Sequence, residues 1–378
     1  MACIINKAAQ TLLTTKDKPV VKHLNCVVLG AGLMGRLLAH ALATAGHSVS
    51  LYEASGEDGM GAAARVAASM LAPLAESAIT EWPVVDMGQY SLQRWPALIQ
   101  QLPTPVYFQQ QGTLILWHKQ DAPQARMLVD KLQINSRQLP PDCTPQNLDN
   151  ASLHRLEPEL SGKFQQGLYL PGEGQLDNRQ LLAGLLKSLQ HQKVDTYWHS
   201  AKSLDDLAAF QNEGADWVFD CRGTGASSDW THLRGVRGEV IRLFAPEVNL
   251  QRPVRLMHPR YPLYIAPKQD HVYVIGATEI ESDDRSEASV RSTLELLSAA
   301  YSLHSGFAEA RILEINTQLR PALKNNLPGI RRVGDTCLQI NGLYRHGFLI
   351  APAMLDAVLA LVQGDTSLAE RFALVEEN

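Results

Sequence analysis

Three glycines and one acid carry the first chemistry legible in the sequence. Gly30, Gly32 and Gly35 stand in G-x-G-x-x-G spacing, and Glu53 follows them. Glycines so spaced let the backbone turn tightly, lie against a pyrophosphate and bring a helix close to a strand. An acid about 20 residues further on accepts hydrogen bonds from a ribose diol. The pattern predicts a dinucleotide site, and by itself it leaves NAD and FAD both open.

That chemistry needs a βαβ unit, and the flanking residues supply one. Cys26 to Leu29 reads as a short buried strand. Leu33, Leu37, Ala41 and Leu42 mark one face of a helix, and Ser48 to Tyr52 reads as a second strand ending at Glu53. The helix N-terminus offers free N–H groups and a partial positive charge to phosphates. Ala62 to Pro73 is rich in small residues, and its simplest reading is an Ala-rich helix packed on a sheet.

Further along, the pattern predicts an amphipathic helix over 82–100, a strand over 112–117, a helix over 121–138 and a short strand over 167–171. Asp177 is a helix cap for 178–190. Trp217 to Cys221 reads as a buried strand ending in a glycine turn, the place where a doubly wound sheet opens a crevice. Alternation over 238–244, 263–266 and 272–275 predicts short antiparallel strands in a second domain. Residues 286–303 read as a helix with Val290, Leu294, Leu297 and Tyr301 on one face. At the end, Cys337 to Pro352 repeats strand and glycine turn, with a helix predicted over 352–363.

Composition narrows the function classes. The 378 residues exceed one simple core, so two domains are expected. A net charge of −5 gives no electrostatic case for nucleic acid. No apolar run is expected to span a membrane. The five cysteines are scattered, without C-x-x-C pairing, which argues for a reducing compartment, the cytoplasm, and against bound metal. Residues 1–24 read as a polar leader rather than a signal peptide.

Taken together, these stretches resemble the D-amino-acid-oxidase superfamily of FAD flavoproteins, most closely glycine oxidases of the thiamine-pathway type. The resemblance runs from about Asn25 to the C-terminus. It rests on Gly30-Ala-Gly-Leu-Met-Gly35 with Glu53, Ala67-Ala-Ser-Met-Leu-Ala-Pro73, Asp220-Cys-Arg-Gly-Thr-Gly225, Leu263-Tyr-Ile-Ala-Pro-Lys268 with Ile275-Gly-Ala-Thr278, Leu319-Arg-Pro321 and Tyr344-Arg-His-Gly-Phe-Leu-Ile-Ala-Pro352. It decides for FAD. It also turns the alanine stretch from a packed helix into a cofactor-facing segment.

The resemblance implies a Rossmann-like FAD-binding domain (25–90, 150–235 and 316–378) and an antiparallel-sheet substrate domain (91–149 and 236–315). FAD would be held without a covalent bond by Gly30, Gly32, Leu33, Met34, Gly35, Glu53, Ala54, Ala63, Ala64, Ala68, Ser69, Met70, Leu343, Tyr344, Arg345, His346, Gly347, Phe348 and Leu349. Arg320 would bind a substrate carboxylate, helped by Tyr264 and Arg345. Two positions depart from the family's habit: Leu343 stands where His is common, and Pro262 where a polar residue is common. The implied reaction is oxidation of glycine or another small amino acid or amine, with O2 or another electron acceptor as partner. A dehydrogenase using a quinone, and a flavoprotein acting on an amine of a macromolecule, are the alternatives. Homo-oligomerisation is left open.

Overall fold

A computed structural model describes residues 22–160, 162–257 and 263–375. Most of the expected leader and Pro262 lie outside the described residues. Among the described residues the strands form sheets of six, eight and three.

The six-stranded sheet holds the glycine motif. Its order is Gly329–Val333, Cys337–Asn341, Trp217–Asp220, Asn25–Leu29, Ser48–Tyr52 and Asp195–Tyr197. All pairings are parallel except that of the first two strands. The helix Leu33–Thr44 connects the neighbouring parallel strands Asn25–Leu29 and Ser48–Tyr52, with Leu33, Leu37 and Leu42 buried. This is the predicted Rossmann-like unit.

The eight-stranded sheet is the expected second layer. Its backbone is Arg311–Ala322 against Arg234–Phe244, followed by Val272–Gly276 and Leu263–Pro267, all antiparallel. A parallel pairing of Val254–Leu256 with Thr113–Leu116 joins these strands to the rest.

Four expectations are corrected. The domain boundary expected at 90/91 falls inside one continuous helix, Trp82–Gln100, whose Val84, Met87, Leu92, Trp95 and Leu98 share the core of the six-stranded sheet. Likewise the strand Arg311–Ala322 runs across the boundary expected at 315/316. The helix Val290–Leu303 turns its other stripe inward. Leu296, Ala299, Ala300 and Leu303 are buried, whereas Val290, Leu294 and Tyr301 face solvent. Both stripes are apolar, and alanines let the helix approach the sheet more closely.

The last helix starts at Gly347, not Pro352, and runs to Val362 with the proline inside it. Pro352 has no N–H to offer the Phe348 carbonyl. Trp95 Nε1 donates to that oxygen instead, at 2.9 Å, and Ser91 Oγ accepts from the Ala353 N–H at 3.2 Å. The neighbouring helix therefore satisfies the groups that the proline displaces. Tyr344–Val362 is 19 residues long and by length and composition apolar enough to cross a bilayer. Two-thirds of that window is buried within the chain, as a central core helix would be.

Candidate active site

A cleft open to solvent runs between the two main sheets. The glycine turn forms one end. Gly30 has φ +90, and a Cβ there would meet the Cys221 carbonyl at 2.7 Å. A Cβ on Gly35 would come 1.8 Å from the Gly30 oxygen, so Gly35 sets the close approach of helix to strand. Gly32 differs from both: a Cβ would meet only Ala62 Cβ, at 3.9 Å, and would project into the cleft. No side chain caps the helix that begins after Gly32, so its first N–H groups face the same space.

Glu53 is held for hydrogen bonding. Its carboxylate accepts from Ala31 N at 2.6 Å and from Ser55 N and Oγ at 2.8 Å each. A cradle that only glycine leaves open, an uncapped helix N-terminus and an oriented acid fit a dinucleotide such as FAD.

Small residues line the wall between the ends. Ala63–Val66 is a single helical turn and Met70–Leu71 a short strand, so the alanine stretch is not one helix. Ala63, Ala64, Ala68, Ser69 and Met70 line the cleft. Opposite them, Leu343 to Leu349 line it from the start of the last helix. Gly35 and Ala54 are the two expected cofactor residues outside the lining. Gly35 packs behind the turn, and Ala54 is exposed beside Glu53.

The far end is polar. Tyr264, Arg320 and Arg345 meet there with Glu76, Arg255, Glu279 and His346. Two glycines make room. A Cβ on Gly276 would strike the Tyr264 hydroxyl at 2.6 Å, and one on Gly238 would strike Arg320 Nη2 at 2.3 Å.

The ion pairs at this end are unequal. Glu76 contacts Arg255 at 2.7 Å and Arg345 at 3.1 Å. Glu279 contacts Arg345 at 2.9 Å and accepts from the Tyr344 hydroxyl at 2.7 Å. Arg320 has only carbonyl partners among the described residues, Thr278 O at 3.0 Å and Arg237 O at 3.4 Å. Among the described residues three guanidiniums thus face two carboxylates at this end, and Arg320 is the one in contact with neither. Such a fork matches a carboxylate in two parallel hydrogen bonds.

Burial sets the protonation states. It pushes the Glu76 carboxyl up, but Arg345 and Arg255 outweigh it and hold the group well below the usual range. His346 is pulled down to about 4 by burial, with Arg345 adding to the effect, so it is neutral at pH 7. It is a buried part of the cleft wall, not a surface histidine. Burial lowers Arg320 and raises Tyr264.

Several of these groups carry no local sequence signal. Glu76 and Arg255 lie 179 positions apart and look like ordinary helix and strand residues. Glu173 and Lys268, discussed below, were equally inconspicuous. Only Lys268 lay within a stretch already singled out.

Comparison with known proteins bears on the whole chain. The DAO family model, described as FAD dependent oxidoreductase, matches residues 25–358. A putative thiamine biosynthesis oxidoreductase ThiO of Rhizobium etli is 37% identical, over 92% of this chain and 99% of that one. Among solved structures, a glycine oxidase of Bacillus cereus superposes with a TM-score of 0.75 at 19% identity, covering 94% of this chain and 99% of the other. An iminodiacetate oxidase of Chelativorans sp. gives 0.77 at 20% identity, covering 93% and 99%.

Proposed function

The chain belongs to the DAO family of FAD-dependent oxidoreductases, and on that premise we propose that it oxidises glycine or another small amino acid, with O2 as electron acceptor. The observation that carries this reading is Arg320, a half-buried guanidinium at the polar end of the cleft that contacts no carboxylate among the described residues.

The six-stranded unit takes the FAD, and the eight-stranded sheet supplies the floor under the substrate. Bound there, FAD would supply hydride-accepting chemistry towards the substrate Cα, and the imine so formed would hydrolyse to a 2-oxo acid and ammonia. The protein's own task is binding and orientation. Gly32 and the N–H groups after it receive the pyrophosphate, and Glu53 takes the ribose. Arg320 grips the substrate carboxylate, while Tyr264 borders the same space. Glu76 and Glu279 restrain Arg345, so among the described residues at this end Arg320 is the cation left for a substrate carboxylate. No side chain has to remove a proton from Cα. An amine that arrives neutral needs no base, which suits a cleft whose His346 is buried beside two arginines.

The test is anaerobic flavin reduction with glycine, sarcosine and D-amino acids, followed by peroxide release in air. Arg320→Ala should lower kcat/KM by roughly 30- to several-thousand-fold, from loss of one partner of a desolvated pair worth about 2–5 kcal/mol. Arg320→Lys should recover only part of this, because an ammonium cannot form the fork. Flavin content should hold in both variants. Wild-type reduction rates in Arg320→Ala would refute the assignment, and rapid reduction without peroxide would refute O2 as the acceptor.

A further inference from the structure

Behind the cleft wall, Lys268 is 7% exposed and makes three hydrogen bonds that the cofactor and substrate roles above leave unused. Its Nζ donates to Leu176 O at 2.7 Å, Ala68 O at 2.8 Å and Gln175 Oε1 at 2.9 Å. An ammonium has three protons, so this arrangement matches each to one acceptor. Burial pulls the group down to about 7, with Asp177 opposing and Arg242 adding.

The Ala68 carbonyl belongs to the cleft wall. In a trans peptide, the N–H points opposite to the C=O. With the Ala68 oxygen aimed back at Lys268, the Ser69 N–H is aimed towards the cleft that Ala68 and Ser69 line. Ser69 has φ +52, a left-handed conformation that a non-glycine residue adopts at a cost. Its carbonyl accepts from Leu176 N at 3.2 Å, yet its own N–H has no acceptor among the described residues. Its hydroxyl, and not its N–H, reaches Leu176 O, at 2.6 Å. The chain thus spends a strained residue on holding one N–H out of the sheet.

We propose that Lys268 is a positioning residue that, through the Ala68–Ser69 peptide, presents a polarised N–H donor to the flavin. This rests on the FAD reading above. In its ammonium form, Lys268 against the carbonyl draws charge along the peptide and strengthens the donor at its other end. A donor of that kind favours the reduced, more electron-rich flavin.

The experiment compares holoenzymes by dye-equilibrated redox titration and by FAD dissociation. Lys268→Met keeps length and apolar contacts but removes charge and donors. Its midpoint potential should move negative, and its FAD dissociation constant should rise by roughly tenfold, since buried acceptors are left unpaired and the wall loosens. Lys268→Arg keeps the charge and should lie nearer wild type in potential. Where Lys268→Met does not yield folded protein, Lys268→Gln carries the test and should show the same negative shift. A folded Met or Gln variant with wild-type potential would overturn the proposal. So would a folded Arg variant displaced as far as Met. Wild-type protein that holds no FAD would instead overturn the underlying cofactor reading.

Discussion

Gly238→Ala tests the clamp role proposed for Arg320 while leaving that residue unsubstituted. Gly238 lies on Arg234–Phe244 opposite Gln318, and Arg320 lies two residues along the neighbouring strand. A Cβ at Gly238 would stand 2.3 Å from Arg320 Nη2, 2.4 Å from Cζ and 2.6 Å from Nη1. Ordinary contact begins at 3.4 Å, so the guanidinium must retreat by about 1 Å or more. The crowded atoms are the far end of a flexible side chain, so the backbone can stay in place. Misplacing a binding group by about 1 Å can cost roughly 100-fold in rate. We expect kcat/KM to fall roughly 10- to 100-fold, or about 1.4–2.8 kcal/mol, less than for Arg320→Ala. Most of the loss should appear in KM, because the clamp holds ground state and transition state alike. The assay is stopped-flow flavin reduction over a range of glycine concentrations, with the visible spectrum as the measure of bound FAD. In the double variant Gly238→Ala/Arg320→Ala, the glycine change should add almost nothing further. A Gly238→Ala enzyme with full flavin and wild-type kcat/KM would refute the placement of the substrate carboxylate at Arg320.

Gly32→Val should fold with near-wild-type stability, because its Cβ meets nothing closer than 3.9 Å, yet lose most of its FAD; flavin absorbance beside a urea unfolding curve checks both halves. Glu173 is pushed up to about 7, chiefly by burial and against the pull of Arg255. The folded chain therefore binds a proton between the ordinary value of 4.5 and about 7 that the unfolded chain releases. Its stabilising effect is complete below 4.5 and lost as pH rises through 7. Glu173→Gln should remove this slope, shrinking the fall in unfolding free energy between pH 5 and pH 8 by up to about 3 kcal/mol. An unchanged slope in urea titrations would show that Glu173 does not titrate in this window. Trp95→Phe leaves the Phe348 carbonyl without its donor and should cost about 1–3 kcal/mol of stability by urea unfolding, and Pro352→Ala in the same background should recover part of it by restoring a backbone donor.

The parts legible in the sequence are those set by local backbone demands. Gly30 and Gly35 could be read because no other residue fits a left-handed turn followed by so close a helix–strand approach. Ser48–Tyr52 and Trp82–Gln100 kept their expected bounds, because period and flanking residues agree there. Asp177 accepts from Arg179 N and Gln180 N as a cap should. The resemblance pointed to Arg320, Tyr264 and Arg345, and the three line one cleft.

Tertiary structure decided the rest, because the deciding partners are remote in sequence. The helix Val290–Leu303 has two apolar stripes, and only packing selects the one that carries Leu296 and Leu303. Pro352 reads as a helix start until Trp95, on another helix, supplies the missing donor. The role proposed for Arg320 depends on the carboxylate contact it lacks among the described residues. Arg255 and Arg345 are equally cationic, but Glu76 and Glu279 reach them and not it. A charge balance of this kind is a property of side chains brought together from five separate segments. No window of sequence contains it, because Coulomb forces follow distance in space and not along the chain.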